Sequence, residues 1–143
     1  MSPKSPLAIA AVCAALAGCM TPPPEIDQSM QRPTAEHRYV VALQPPAEPI
    51  AINQLHSWEI RVASPAGEPI THARIAVDGG MPQHGHGLPT RPQASRELGD
   101  GRYLLEGMKF SMPGWWEIKL RVEGRDGTDR VTFNKVVALA APR

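Results

Sequence analysis

Cysteine is nearly missing. The chain of 143 residues contains two, Cys13 and Cys19, both within the first twenty positions. Exported domains often depend on disulfides, but everything after residue 20 must hold together by packing alone. Thiolate chemistry, as metal ligand or as nucleophile, is excluded from that part as well. A surplus of charge is also missing, the formal net charge being +1. Nucleic-acid binding shows as a basic excess or stripe, so no nucleic acid is expected as a partner. No apolar run reaches the roughly 20 residues of a membrane-spanning helix, and no helical period of useful length follows the first twenty residues. No nucleophile motif is present, and the carboxylates mostly alternate outward on strands rather than pairing for acid and base work. The chain is not expected to be an enzyme.

What is present begins with a leader. One positive charge, Lys4, precedes an uncharged run from Leu7 to Ala17, the length of a secretory h-region. It ends in Leu16-Ala17-Gly18-Cys19, which resembles the bacterial lipobox, where cysteine is acylated and the chain is cut just before it. Residues 1–18 are therefore expected to be removed, Cys13 with them, and Cys19 to carry the lipid. Loss of Lys4 leaves 15 − 1 = 14 basic against 14 acidic side chains. The expected location is the cell envelope, anchored by lipid and facing the periplasm. Met20 stands where an aspartate would suggest retention at the inner membrane, so similarity to Gram-negative lipoproteins favours the outer membrane.

Residues 19–50 hold prolines at 22, 23, 24, 33, 45, 46 and 49. Such a stretch reads as an extended spacer that lifts a domain off the membrane. Within it Tyr39-Val-Val-Ala-Leu43 is either a first edge strand or a docking segment.

From 51 to 140 the pattern is one of short strands and turns. Trp58, Ile60 and Val62 alternate with Glu59 and Arg61. Ser64-Pro-Ala-Gly67 is a turn. Ala73, Ile75 and Val77 form a second alternating run, which Asp78-Gly-Gly80 is expected to end. Gly101–Gly107 is a third. Trp116, Ile118, Leu120 and Val122 share one face of the clearest strand, with Glu117, Lys119 and Arg121 on the other. Glu123-Gly-Arg-Asp-Gly127 carries a hairpin turn, and residues 129–139 return. About seven half-buried strands in some 90 residues predict an all-β, immunoglobulin-like β-sandwich, with a small barrel as the alternative. Trp58 and Trp116 belong to the core. Trp115, on the opposite face, either covers the loop at 80–92 or contacts a partner. Tyr103 is divided between core and rim.

That loop reads Gly-Met-Pro-Gln-His-Gly-His-Gly-Leu-Pro-Thr-Arg-Pro and brings Met81, His84 and His86 within six residues. Imidazole binds copper, zinc and nickel, and a thioether selects soft ions such as Cu(I). A Met and His set without cysteine points to copper before zinc. Met112, in the second Met-Pro pair, joins the set if the loops converge. The other reading stays open: a solvated Gly-rich loop, with a methionine that plugs the rim of a core. His56 and His72 read as surface residues and His37 as part of the spacer.

Met81-Pro-x-His84-x-His86-Gly87, Gly101-x-Tyr103 and Phe110-x-Met112-Pro-Gly-x-Trp116-Glu-Ile together resemble the YtkA-like and FixH-like group of small exported domains. The resemblance covers residues 53 to 139. It implies an immunoglobulin-like sandwich and, for many relatives, copper handling or assembly of copper oxidases, with Met81, His84, His86 and Met112 as ligands. FixH-like proteins usually carry a membrane helix, which a lipid replaces here. Two functions follow: a copper-binding lipoprotein that buffers the metal or passes it to a protein partner in the envelope, or a metal-free accessory subunit of an envelope assembly.

Overall fold

The computed structural model describes residues 22–139; the expected signal peptide and Cys19 lie outside them. Nine strands follow one another: β1 (Gln31–Pro33), β2 (Val40–Gln44), β3 (His56–Ala63), β4 (Arg74–Met81), β5 (His86–Gly87), β6 (Gln93–Gly99), β7 (Arg102–Met108), β8 (Gly114–Gly124) and β9 (Gly127–Val137). Two antiparallel sheets form, one in the order β1-β2-β3-β7-β6 and the other β5-β4-β8-β9. The expected immunoglobulin-like sandwich is the fold, with no helix among the described residues.

The alternating runs fill the space between the sheets. Trp58, Ile60 and Val62 from one sheet and Trp116, Ile118, Leu120 and Val122 from the other are all buried. Burial of a side chain such as Ile118 or Leu120 stabilises by about 1.5–3 kcal/mol. Tyr103 belongs to the core; its hydroxyl donates to the Ile70 carbonyl at 2.6 Å and accepts from Ala73 N–H. The expected hairpin turn within residues 123–127 is present, with Gly124 paired to Gly127 across a two-residue turn.

Two expectations need correction, and one strand went unread. The spacer does not run to residue 50: β1 and β2 lie within it, and Tyr39, Val41 and Leu43 are buried core. The prolines flank these strands, apart from Pro33 at the end of the outermost one, where a missing N–H costs no interior ladder bond. Asp78-Gly-Gly80 does not end a strand. β4 continues through both glycines because the pairing needs their lack of a side chain: a Cβ on Gly79 would sit 2.2 Å from the Glu117 carbonyl oxygen, and one on Gly80 2.3 Å from that of His86. Finally, β6 has no apolar alternation to announce it; it is a sheet edge with two irregularities in its pairing to β7.

The long edge of β9 is covered by the segment before β2. Asn134 Nδ2 donates to the Asp27 carbonyl (3.0 Å), Val136 N–H to Gln28 Oε1 (3.2 Å), Arg32 Nη1 to the Thr132 carbonyl (3.0 Å) and Ala35 N–H to the Arg130 carbonyl (2.8 Å). The segment thus runs antiparallel to β9 and masks an edge that would otherwise invite pairing with other chains. Among the described residues no helix is long and apolar enough to cross a membrane.

Candidate metal centre

β3 starts, β4, β7 and β9 finish, and β8 starts at one end of the sandwich. All four proposed ligands lie there. β4 and β5 form a tight hairpin in place of an open loop. His84 N–H and Gly85 N–H both donate to the Met81 carbonyl (3.1 and 3.0 Å), and Gly85 takes the left-handed conformation (φ 66°) that this turn requires.

The register sets the side chains. Met81 is directly opposite His86, and residues paired across antiparallel strands share a face. That face looks toward the core, so His86 stands at the rim above the buried Met81. The His86 ring meets the indole of Trp116 edge-on at 6.2 Å, and the His84 ring stacks on His86 at 5.7 Å with 22° between planes. Both histidines are exposed.

Met112 approaches from the β7–β8 connection and is half-buried. Trp116 Nε1 donates to its carbonyl at 3.1 Å. A Cβ on Gly114 would lie 2.8 Å from Met81 Cε, so the two Met-Pro segments adjoin through Gly114. The four residues therefore come to one place, but not equally. His84 and His86 face solvent, Met112 lies at the boundary, and Met81, 1% exposed, is a core side chain, as the rim-plug reading has it. Among the described residues no three His, Cys, Asp or Glu side chains converge.

Trp115 is placed differently from expectation. Its indole N–H donates to Asn134 Oδ1 (3.0 Å), and the same amide donates to the Asp27 carbonyl. It is half-buried and ties the N-terminal segment to β8. The aromatic ring against the histidine hairpin is that of Trp116.

His56 is the residue that sequence reasoning missed. It was expected at the surface, yet it is half-buried against Phe110, with ring centroids 5.4 Å apart. Its Nδ1 accepts from Trp58 Nε1 at 2.8 Å, and its Nε2 is buried with no hydrogen-bond partner. Burial holds its pKa below the usual value of 6.5. Accepting at Nδ1 places the proton of the neutral ring on Nε2, so His56 offers a metal no lone pair while this bond stands. Period-two alternation is the signal that finds it: His56 shares its face with Trp58 and Ile60. His72 and His37 remain exposed and away from the hairpin.

No curated protein sequence and no solved structure matches the chain. One family model does, YtkA-like, over residues 34–121. The match spans more than half of the sequence, begins among the residues that cover β9, and includes the Met81–His86 hairpin and the Met112–Trp116 segment. On that match, and on a sandwich that brings those two segments together, the chain belongs to the YtkA-like family.

Proposed function

We propose that the protein is a lipid-anchored, periplasm-facing lipoprotein that binds copper, as Cu(I), at the hairpin end of its sandwich and buffers the metal or delivers it to a partner. The observation that carries this reading is the stacked, exposed pair of His84 and His86 on a hairpin rooted at Met81, with Met112 held beside it through Trp116. Two imidazoles alone bind several metals. With no three His, Cys, Asp or Glu side chains converging among the described residues, further donors at this place are thioethers, and these select Cu(I). An exposed histidine pair beside a buried sulfur is incomplete from the outside. That suits transfer, since a recipient's ligands can enter.

The role is non-catalytic. Lipidation of Cys19 rests on the sequence of the leader, and mass analysis of the mature N-terminus tests it: acyl groups on Cys19 support the anchor, and a free thiol contradicts it. For the metal, native mass spectrometry of residues 20–143 loaded with Cu(I) under nitrogen should give one copper per chain, and none in a His84→Ala/His86→Ala double variant. The burial of Met81 favours a second reading, in which the protein is a metal-free accessory subunit and the hairpin shapes a contact surface. Equal copper retention by wild type and double variant supports that reading.

A further inference from the structure

The β4-β8-β9 sheet has one protected edge and one open edge. The β9 edge is masked by the segment before β2, whereas β5 covers only Gly80 and Met81, the last two residues of β4. β6, on the same side of the sandwich, pairs with β7 alone. Among the described residues no strand therefore pairs with Arg74–Asp78 on the side away from β8. Successive residues of a strand direct their N–H and C=O groups to opposite sides. The Gly79 carbonyl accepts from Leu88 N–H at 3.1 Å, and Gly79 N–H turns to Asp78 Oδ1 at 2.7 Å, so Gly79 points away from β8. Val77 and Ile75, two and four residues back, point the same way. Their N–H and C=O groups line the open edge, which has no lysine, proline or bulge to blunt it.

The segment is complementary to a second copy of itself. When two copies are laid antiparallel with Ala76 opposite Ala76, Ile75 meets Val77 and Arg74 meets Asp78. Ile75 and Val77 then face each other with their outward groups, the geometry in which a pair exchanges two hydrogen bonds. A shift of one residue sets outward groups against inward ones, and a shift of two parts Arg74 from Asp78. On the core side Ile75 and Val77 are only half-buried, while Ile118 and Leu120 on the next strand are at most 1% exposed. Two β-branched side chains opposite each other gain from mutual cover. On the outer face Arg74, Ala76 and Asp78 are all exposed. Among the described residues Asp78 has no ion pair, since Lys119 opposite it is paired with Glu117 at 3.1 Å. Arg74 holds Glu123 through Nη2 at 2.6 Å, which leaves Nη1 for a second carboxylate. The Ala76 side chain is small enough to sit on a twofold axis.

We infer that the open edge of β4 pairs antiparallel with the same edge of a second copy, about a twofold axis at Ala76, and joins the two β4-β8-β9 sheets into one. The contact is isologous, each copy giving and receiving the same pairs. It needs neither copper nor lipid and so goes beyond the function proposed above. The β4 strands of the two copies run in opposite directions, so the two histidine hairpins lie at opposite ends of the dimer. Only Ile75 and Val77 contribute ladder bonds, and association in solution is weak and reversible.

Residues 20–143 contain no cysteine, so one introduced thiol reports the contact. Opposite residues that are not hydrogen-bonded to each other have Cα atoms about 4.5 Å apart, within reach of a disulfide. Ala76→Cys should therefore give a disulfide-linked dimer on mild oxidation with diamide, several-fold faster than Arg121→Cys. Arg121 is the control because it stands beside Ala76 on the same exposed face, one strand farther from the axis. Equal rates overturn the pairing. With Ala76→Cys in place, Arg74→Asp and Asp78→Arg should each slow the reaction, and the two together should restore it. A double change that restores nothing overturns the register. In the unmodified chain, amide exchange at Ile75 and Val77 should slow as protein concentration rises. Exchange independent of concentration at both amides overturns the second copy as the occupant, and protection that appears only on adding an envelope extract gives the edge to a strand of another protein instead.

Discussion

Trp116 Nε1 donates to the carbonyl of Met112 at 3.1 Å. The same indole is fully buried and stands edge-on beneath the His86 ring. One side chain thus joins the β7–β8 connection to the β4–β5 hairpin, and the separation of the two candidate ligand segments depends on it.

Trp116→Phe keeps an aromatic ring in the core and removes the donor. The Met112 carbonyl loses a bond worth about 1 kcal/mol, and the smaller ring leaves space under His86. We expect a folded protein with the same circular dichroism, a lower melting temperature and Cu(I) affinity reduced several-fold. Unchanged affinity would show that the position of Met112 does not matter to the metal.

Gly79→Ala tests the continuity of β4. The added Cβ meets backbone, the Glu117 carbonyl oxygen at 2.2 Å, which cannot swing aside as a side chain end can. Destabilisation of more than about 2 kcal/mol in urea unfolding is expected. Gly67→Ala is the control for crowding: nothing lies near its added Cβ, so its cost is that of a left-handed backbone alone.

The legible part of this fold was its inner faces. Trp58-x-Ile60-x-Val62 and Trp116-x-Ile118-x-Leu120-x-Val122 alternate because each strand has one wet side, and the structure buries those residues. The edges were not legible. β6 is Gln-Ala-Ser-Arg-Glu-Leu-Gly, irregular in register and mostly exposed, and β4 runs through two glycines whose role is close approach of backbones. Of the candidate centre, the four residues were legible as chemistry, but their order of burial was not. That order follows from the Met81–His86 register, which needs a hairpin that the Gly and Pro content disguised as open loop.

The pH dependence of stability should show two steps. Burial lowers the pKa of the folded His56, so it takes up a proton at a lower pH than the unfolded chain, which does so near pH 6.5. The unfolded state then binds more protons, so stability falls as pH drops below about 6.5. His56→Ala should flatten this step, and should itself destabilise by about 1–3 kcal/mol by leaving Trp58 Nε1 without an acceptor. Chemical denaturation from pH 5 to 8 reads both.

Asp129 gives the second step. Burial, at 4% exposure, pushes its carboxyl up, but hydrogen bonds from the Thr34 hydroxyl and the N–H groups of Arg130, Glu36 and Arg38 outweigh that and bring it below 3.8. Its contribution is full above the unfolded value and is lost as pH falls through the lower folded one. Asp129→Asn should remove that acid step and loosen residues 34–38 from β9, at a cost on the order of 1–3 kcal/mol. Amide exchange at Glu36 and Arg38 reads the loosening directly.

The most direct test is an anaerobic Cu(I) titration of residues 20–143 against a chromophoric chelator, beside the His84→Ala/His86→Ala double variant and a His72→Ala control. A copper-handling protein predicts one tight site in wild type and in the control, lost by at least tenfold in the double variant while its melting temperature stays within a few degrees. Wild-type binding no tighter than that of the double variant would contradict copper handling and leave a metal-free lipoprotein of the envelope.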